Sequence, residues 1–412
     1  DAELVILGQA GVVERCAAPI RGDGREHVGR DRAARAGERH RGAQHRAYRL
    51  LDDMRIGEFV GIMAGYQRSA ADQRQHGQLY HGASFDQRVE HGEFGGVDER
   101  AGMMADLAEE GLAPIEIESS ASFHRYIRRE PHGAVLVVAP WNYPYMTAIN
   151  TVAPALIAGN TVMLKHATQT LLVGERMARA FHSVGVPEEV FQNVFLSHDT
   201  TSDLIAANAF DFVNFTGSVG GGKAMERAAA GTFTGIGLEL GGKDPGYVME
   251  DADVDAAVDT LIDGAMFNSG QCCCGIERIY VHESLFDSFL EKALAVVRGY
   301  KLGNPLDQDT TIGPMANVRF AQEVRAQIKE AVEAGATAHI DTFPEDDGGT
   351  YLTPQILTDV THDMRVMRDE SFGPVVGIMK VKGDEEAIAL MNDSDFGLTA
   401  SLWTQDVARA ER

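Results

Sequence analysis

Val135-Leu136-Val137-Val138-Ala139-Pro140-Trp141-Asn142-Tyr143-Pro144 decides the fold class. Five apolar residues in a row, stopped by a proline, read as a short strand buried on both faces. An apolar helical run follows over 147–158 and closes at Gly159-Asn160. The next strand is expected over 161–164 and the next helix over 171–181. A further strand, 212–215, runs into Thr216-Gly217-Ser218. Strand and helix alternate in units of about 30 residues, which predicts an α/β fold with a parallel sheet.

Outward from that stretch the pattern holds on both sides. Residues 98–110 read as a helix with Ala101, Met104, Leu107 and Ala108 on one stripe, and 115–129 as extended chain. A second alternation follows Gly241-Gly242. Helices are expected over 254–267, 285–297, 320–334 and 384–392, and strands over 278–281 and 375–380. There is no internal repeat and no low-complexity linker. With 412 residues the chain has room for two or three domains. Its net charge of -24 argues against nucleic acid or an anionic membrane surface as partner, and no apolar run approaches the length of a membrane span. The acid excess lies almost wholly beyond residue 100.

Residues 1–93 do not read as a folded domain. Arg, Gly, His and Gln dominate, as in Arg21-Gly22-Asp23-Gly24-Arg25, and such composition buries too little apolar surface to offset chain entropy. Two readings stand: a disordered extension, or a stretch translated out of frame. The chain opens at Asp1 without a leader and stops at Arg412 inside a helical pattern, so both ends are expected to be incomplete.

Phe267-Asn268-Ser269-Gly270-Gln271-Cys272-Cys273-Cys274-Gly275 holds three of the four cysteines. Adjacent cysteines are poorly placed for a disulfide, and the spacing matches no common zinc pattern, so no metal site is expected. Either a thiol nucleophile or three small buried hydrophobes would explain them. So few cysteines point to a reducing compartment, hence the cytoplasm.

Four segments then line up in order: Pro140-Trp141-Asn142-Tyr143-Pro144, Leu238-Glu239-Leu240-Gly241-Gly242-Lys243, Gly270-Gln271-Cys272-Cys273 and Glu370-Ser371-Phe372-Gly373-Pro374. Together they resemble the NAD(P)-dependent aldehyde dehydrogenase superfamily over about residues 94–412. The resemblance implies a Rossmann-like cofactor domain (94–113 and 132–241), an oligomerisation hairpin (114–131) and an α/β catalytic domain (242–412) cut off at its C-terminus. Residues 1–93 then have the length of the family's ordered N-terminal part and the wrong composition, which favours the frame error.

The resemblance also implies roles. Cys273, two places after the Gln, is the nucleophile. Asn142 and the Cys273 backbone N–H would receive the oxyanion, and Glu239 would activate water to hydrolyse a thioester. Alone, Glu239 reads as a surface or capping acid and Asn142 as a turn residue. NAD or NADP would be held by Trp141, Lys165, Thr168, Gly217, Ser218, Gly222, Leu240, Glu370 and Phe372, with the Gly-rich turn at a helix N-terminus receiving phosphate. Thr168 stands where many NAD-preferring members carry an acid, which implies that NADP is tolerated. Tyr143, Met146, Asn150, Phe267, Cys272 and Cys274 would line the substrate tunnel. Asn150 replaces an arginine of succinate-semialdehyde dehydrogenases, so a neutral aldehyde is expected. The implied assembly is a homodimer or homotetramer. Glu239 argues against a CoA-acylating enzyme, and the intact Cys273, Glu239 and Asn142 against an inactive binding protein.

Overall fold

The computed structural model describes residues 87–120 and 122–412. The two readings of residues 1–93 concern chain that lies almost wholly outside them. Helix α1 (Gln87–Asp106) starts well ahead of residue 98, where the apolar stripe places it. Its early part carries Gly92, Gly95 and Gly96, which hide the period. α2 (Ala108–Leu112) leads into an antiparallel hairpin of β1 (Ile115–Ser120) and β2 (Phe123–Ile127). Ile115, Ile117, Phe123, Tyr126 and Ile127 are all exposed on it.

The first sheet is built from β3 (Ala134–Ala139), β4 (Thr161–His166), β5 (Phe191–Asn193), β6 (Phe212–Thr216) and β7 (Gly235–Glu239). Its order is β5-β4-β3-β6-β7 and every pair is parallel. The helices between these strands are α3 (Pro144–Ile157), α4 (Leu171–Ser183), α5 (His198–Ala206) and α6 (Val219–Ala229). Val135, Val137 and Ala139 of β3 pack with Ile149, Leu164, Met177 and Phe191 on one face. Leu136 and Val138 pack with Ile205, Val213 and Met225 on the other. Alternate strand residues face opposite sides, so a strand covered on both needs an unbroken apolar run. α3 opens at Pro144, whose missing N–H costs nothing in a first turn.

The second sheet has the order β10-β11-β12-β9-β8-β13. Its strands are β8 (Asp244–Val248), β9 (Ile276–His282), β10 (Thr337–Ala338), β11 (Gln355–Thr358), β12 (Val375–Val381) and β13 (Ser401–Trp403). All pairs are parallel except β10 with β11. α7 (Val254–Met266), α8 (Phe286–Arg298) and α9 (Val318–Glu333) pack on it, and α10 (Arg365–Arg368), α11 (Asp384–Asn392) and α12 (Val407–Ala410) complete the chain. The α/β expectation is met. Among the described residues no helix is long and apolar enough to cross a membrane.

Strand order reverses at β3, with β4 on one side and β6 on the other. Ligands of open parallel sheets settle in the crevice beyond the strand C-termini at such a point. Residues 141–143, Lys165, Gly217 and Glu239 all lie at that edge.

Glu93 joins α1 to this edge. Its buried carboxylate accepts the backbone N–H of Tyr145 at 2.7 Å and of Met146 at 3.4 Å, where α3 leaves donors unpaired. Burial pushes the carboxyl up to about 7, against the pull of those bonds and of Arg100. A raised carboxyl stabilises the fold fully below its unfolded value near 4.5 and loses that contribution as pH rises through about 7. Glu93→Gln is therefore expected to flatten the curve: from pH 5 to 8 the parent loses about 3 kcal/mol relative to the variant. Thermal midpoints measured across that range check it, and parallel curves would show that Glu93 does not titrate there.

Candidate active site

The thiols follow α7 on a turn that the chain adopts only under constraint. Asn268, Ser269 and Gly270 have φ of 52°, 56° and 70°, three left-handed residues in succession. Non-glycine residues resist that region unless their surroundings hold them. Gln271, completely buried, supplies much of the hold. Its Nε2 donates to Asn268 O at 2.9 Å and its Oε1 accepts the Ala316 N–H at 2.7 Å. Ser269 Oγ donates to Gly313 O at 2.6 Å. Gly270 lies against the Gly373-Pro374 backbone, into which any Cβ would be driven. Gly270→Ala is expected to cost at least about tenfold in activity, because misplacing a reacting group by an ångström costs up to about a hundredfold. Steady-state rates measured beside the thermal midpoint would show it, and a fully active variant would mean that the turn does not aim the thiols.

Cys272 and Cys273 are half-buried and Cys274 exposed, all three as free thiols. Cys272 Sγ and Cys274 Sγ are 3.4 Å apart. Hydrogen bonds from Cys272 and then Cys273 pull Cys274 down to about 3. Contacts with Cys273 and Cys274 push Cys272 well up. For Cys273, the bond to Cys272 pulls down, while Cys274 and burial push harder, leaving it at about 11.

Asn142 is buried beside this turn, its Nδ2 donating to Gln271 O at 3.2 Å. Asn268 Nδ2 donates to the same oxygen at 3.3 Å. Asn142 keeps a second N–H. Tyr143 is buried with its hydroxyl in hydrogen-bonding reach of the Cys272 thiol. Trp141 stacks on Phe320 at 5.5 Å and meets the edge of Phe372 at 5.7 Å. Glu239 ends β7 with an exposed side chain, and its carbonyl accepts the Gly217 N–H at 2.9 Å.

The residues expected to hold a cofactor lie along the same edge. Lys165 is only 3% exposed, yet its Nζ reaches nothing better than His166 O at 3.4 Å. Burial lowers its pKa. Among the described residues it has no carboxylate partner, so an anionic ligand would relieve a costly buried cation. His166 is buried with both ring nitrogens unpartnered, and burial, helped by Lys165, drops its pKa to about 3. Thr168 is exposed, its hydroxyl on Gln169 Oε1 at 3.1 Å. Ser218 caps α6 by accepting the Gly221 N–H at 3.2 Å. Gly217 closes on the Phe215 ring and Gly222 on the Leu240 side chain, so neither has room for a Cβ. The open first turn of α6 can receive phosphate on its N–H groups. These residues fit NAD or NADP.

Glu370 and Phe372 are held by groups the sequence reading left unassigned. Lys243 Nζ pairs with Glu277 Oε2 at 2.5 Å and donates to Ser371 Oγ at 3.0 Å. Glu277 also accepts the backbone N–H groups of Ser371 and Phe372, each at 2.8 Å. Phe372 sits at φ 49°, a strained position that these bonds pin. Glu370 Oε1 accepts the Gly242 N–H at 3.3 Å. Burial, and then the Glu277 charge, push its carboxyl up to about 7.

Of the expected tunnel positions, Tyr143 immediately precedes α3, Met146 stands on its first turn, Asn150 one turn further, and Phe267 half-buried where α7 ends. Arg100 was missed: its Nη1 donates to Asn150 Oδ1 at 3.0 Å. Its spacing of seven from Glu93, two helical turns, is the signal that could have put both on one face of α1. Among the described residues no group of three His, Cys, Asp or Glu could hold a metal ion.

A sequence model of the aldehyde dehydrogenase family matches residues 68–412, reaching ahead of residue 94. An aldehyde dehydrogenase of Paenarthrobacter nicotinovorans is 38% identical over 313 residues, 74% of this chain and 68% of that protein. A probable succinate-semialdehyde dehydrogenase [NADP(+)] of Synechocystis sp. is 38% identical over 300 residues, 73% of this chain and 66% of that one. The chain thus spans about two thirds of the length of these curated relatives. The solved succinic semialdehyde dehydrogenase of Streptococcus pyogenes, in complex with NADP+, superposes with a TM-score of 0.79 at 29% identity, covering 90% of this chain and 82% of that chain. With the match running through both sheets and all four site segments, the chain belongs to the aldehyde dehydrogenase family.

Proposed function

We propose that the chain oxidises an aldehyde to its carboxylic acid with NAD or NADP, using Cys273 as nucleophile and Glu239 as base. What supports this reading is the constrained turn that carries the thiols, tied to Asn142 by the bond from its Nδ2 to Gln271 O at 3.2 Å, two residues before Cys273. The Cys273 thiolate adds to the aldehyde carbon. Asn142 Nδ2 and the Cys273 backbone N–H stabilise the resulting oxyanion. When bound, the nicotinamide cofactor would supply the hydride acceptor. Lys165, Ser218 and the first turn of α6 would anchor it, and Glu370 with Phe372 would place its reactive end. Glu239 takes the proton of a water that cleaves the Cys273 thioester.

Thr168 puts no negative charge beside Lys165, which supports NADP, as do the relatives named for NADP+. The exposed apolar hairpin β1–β2 supports a homodimer or homotetramer. Glu239→Gln tests the scheme: a single burst of reduced cofactor, one per site, followed by slow turnover, is expected in stopped flow. Undiminished steady turnover would remove Glu239 from the hydrolytic step.

A further inference from the structure

We propose that Glu277 is a positioning residue: its carboxylate fixes the backbone of Ser371, Phe372 and Gly373 against the turn that carries the thiols, and so sets the rate at which Cys273 attacks. This role rests on Cys273 being the nucleophile of an aldehyde oxidation.

Glu277 follows Cys273 by four residues and stands on β9, 5% exposed. Three donors converge on it. Its Oε1 accepts the Phe372 N–H at 2.8 Å. Its Oε2 accepts the Ser371 N–H at 2.8 Å and Lys243 Nζ at 2.5 Å. A carboxylate offers two oxygens to these donors, whereas a glutamine would turn its NH2 at one of them. Gln327 of α9 grips the same loop, its Nε2 on Glu370 O at 3.4 Å and its Oε1 accepting the Ser371 hydroxyl at 2.7 Å. Held so, Phe372 keeps a φ of 49°, which a bulky residue abandons once released.

The neighbours of this loop give the clamp its effect on the site. The Gly373 carbonyl oxygen lies 2.1 Å from where a Gly270 Cβ would stand, so the two backbones are in contact. Gly270 is the last left-handed residue of the turn, three places before Cys273. The Phe372 ring meets Trp141, the neighbour of Asn142, at 5.7 Å. Lys243 carries the clamp to the segment that follows Glu239. Beside it, Gly242 lies against Cys273 O, which is 2.8 Å from where its Cβ would stand. Contacts gathered around one carboxylate thus reach Gly270, Cys273 and Trp141 from segments far apart in sequence. If Phe372 relaxed its φ, Gly373 would move and the turn would lose its wall, and a shift of about an ångström is enough to cost a hundredfold in rate.

The test separates this role from the stability of the buried ion pair. It compares the full chain with Lys243→Met and with Lys243→Met plus Glu277→Gln, at a temperature below every thermal midpoint. The probes are propanal and 4-oxobutanoate, with saturating NADP or NAD, whichever the parent uses. Lys243→Met keeps both backbone bonds of Glu277, so its kcat per folded chain should stay near the parent's although its fold is weaker. The double variant regains stability and loses one of those bonds, so its kcat should fall about tenfold to a hundredfold while the aldehyde KM changes little. Glu277→Asp in place of Glu277→Gln keeps two oxygens and should recover part of the loss. A double variant at the parental rate, or rates that follow the order of stability, would overturn the role. Should Lys243→Met not fold, Glu277→Asp and Glu277→Gln alone decide it: partial recovery in the Asp variant sustains the role, and equal rates overturn it. If the parent oxidised neither compound, the reading of an aldehyde oxidation would fail instead. The role would then be decided by deuterium exchange of the 268–275 peptide. Faster exchange in the double variant than in Lys243→Met sustains it, and equal exchange overturns it.

Discussion

Cys273→Ala is expected to lower aldehyde-dependent cofactor reduction by about 10⁴-fold or more, the scale on which removing a nucleophile acts. Cys272→Ala and Cys274→Ala should lose far less, because in the proposed scheme neither forms the covalent bond. The pH dependence separates the two neighbours. The Cys272 thiol pulls the Cys273 pKa down, and Cys274 pushes it up. Removing Cys274 should therefore raise the thiolate fraction of Cys273 at a given pH and move the rising limb of kcat/KM to lower pH. Removing Cys272 should move it to higher pH. A shift of both variants in the same direction would mean that Cys272 and Cys274 do not act on Cys273 in opposite senses.

Lys243→Met is expected to destabilise the fold by about 3–5 kcal/mol, the cost of leaving one member of a buried ion pair alone. The two side chains are 0% and 6% exposed, so water cannot take the lysine's place at Glu277. The stranded carboxylate would still accept the N–H groups of Ser371 and Phe372. Adding Glu277→Gln removes the charge and should restore part of the loss. Urea unfolding of the parent, the single and the double variant measures this. Equal midpoints for all three would show that the pair contributes nothing to holding the Glu370–Phe372 segment.

Both expectations bear on what a one-dimensional reading can see. The strand at 135–139 was legible because burial on two faces leaves no polar position, and helices such as α8 and α9 because their apolar stripe recurs each turn. β7 was not legible: Gly235-Ile236-Gly237-Leu238-Glu239 has too few side chains to show a period, and pairing with β6 makes it a strand. α6 opens on Val219-Gly220-Gly221-Gly222, poor helix formers that read as a loop and hold their form through the Ser218 cap. The site divides in the same way. Cys273, Asn142 and Glu239 came from segments whose order resembles a family. Gln271, Lys243, Glu277 and Arg100 act through partners far off in sequence, from Ala316 to Asn150, so only the folded chain assigns them.

The most direct measurement is the mass of the active-site peptide from Glu239→Gln after incubation with NADP and an aldehyde. The expected result is one acyl group per chain, in thioester linkage to Cys273, that hydroxylamine releases. An acyl group on Cys272 or Cys274 would move the nucleophile. No adduct, in a variant that still turns over, would contradict catalysis through a Cys273 thioester.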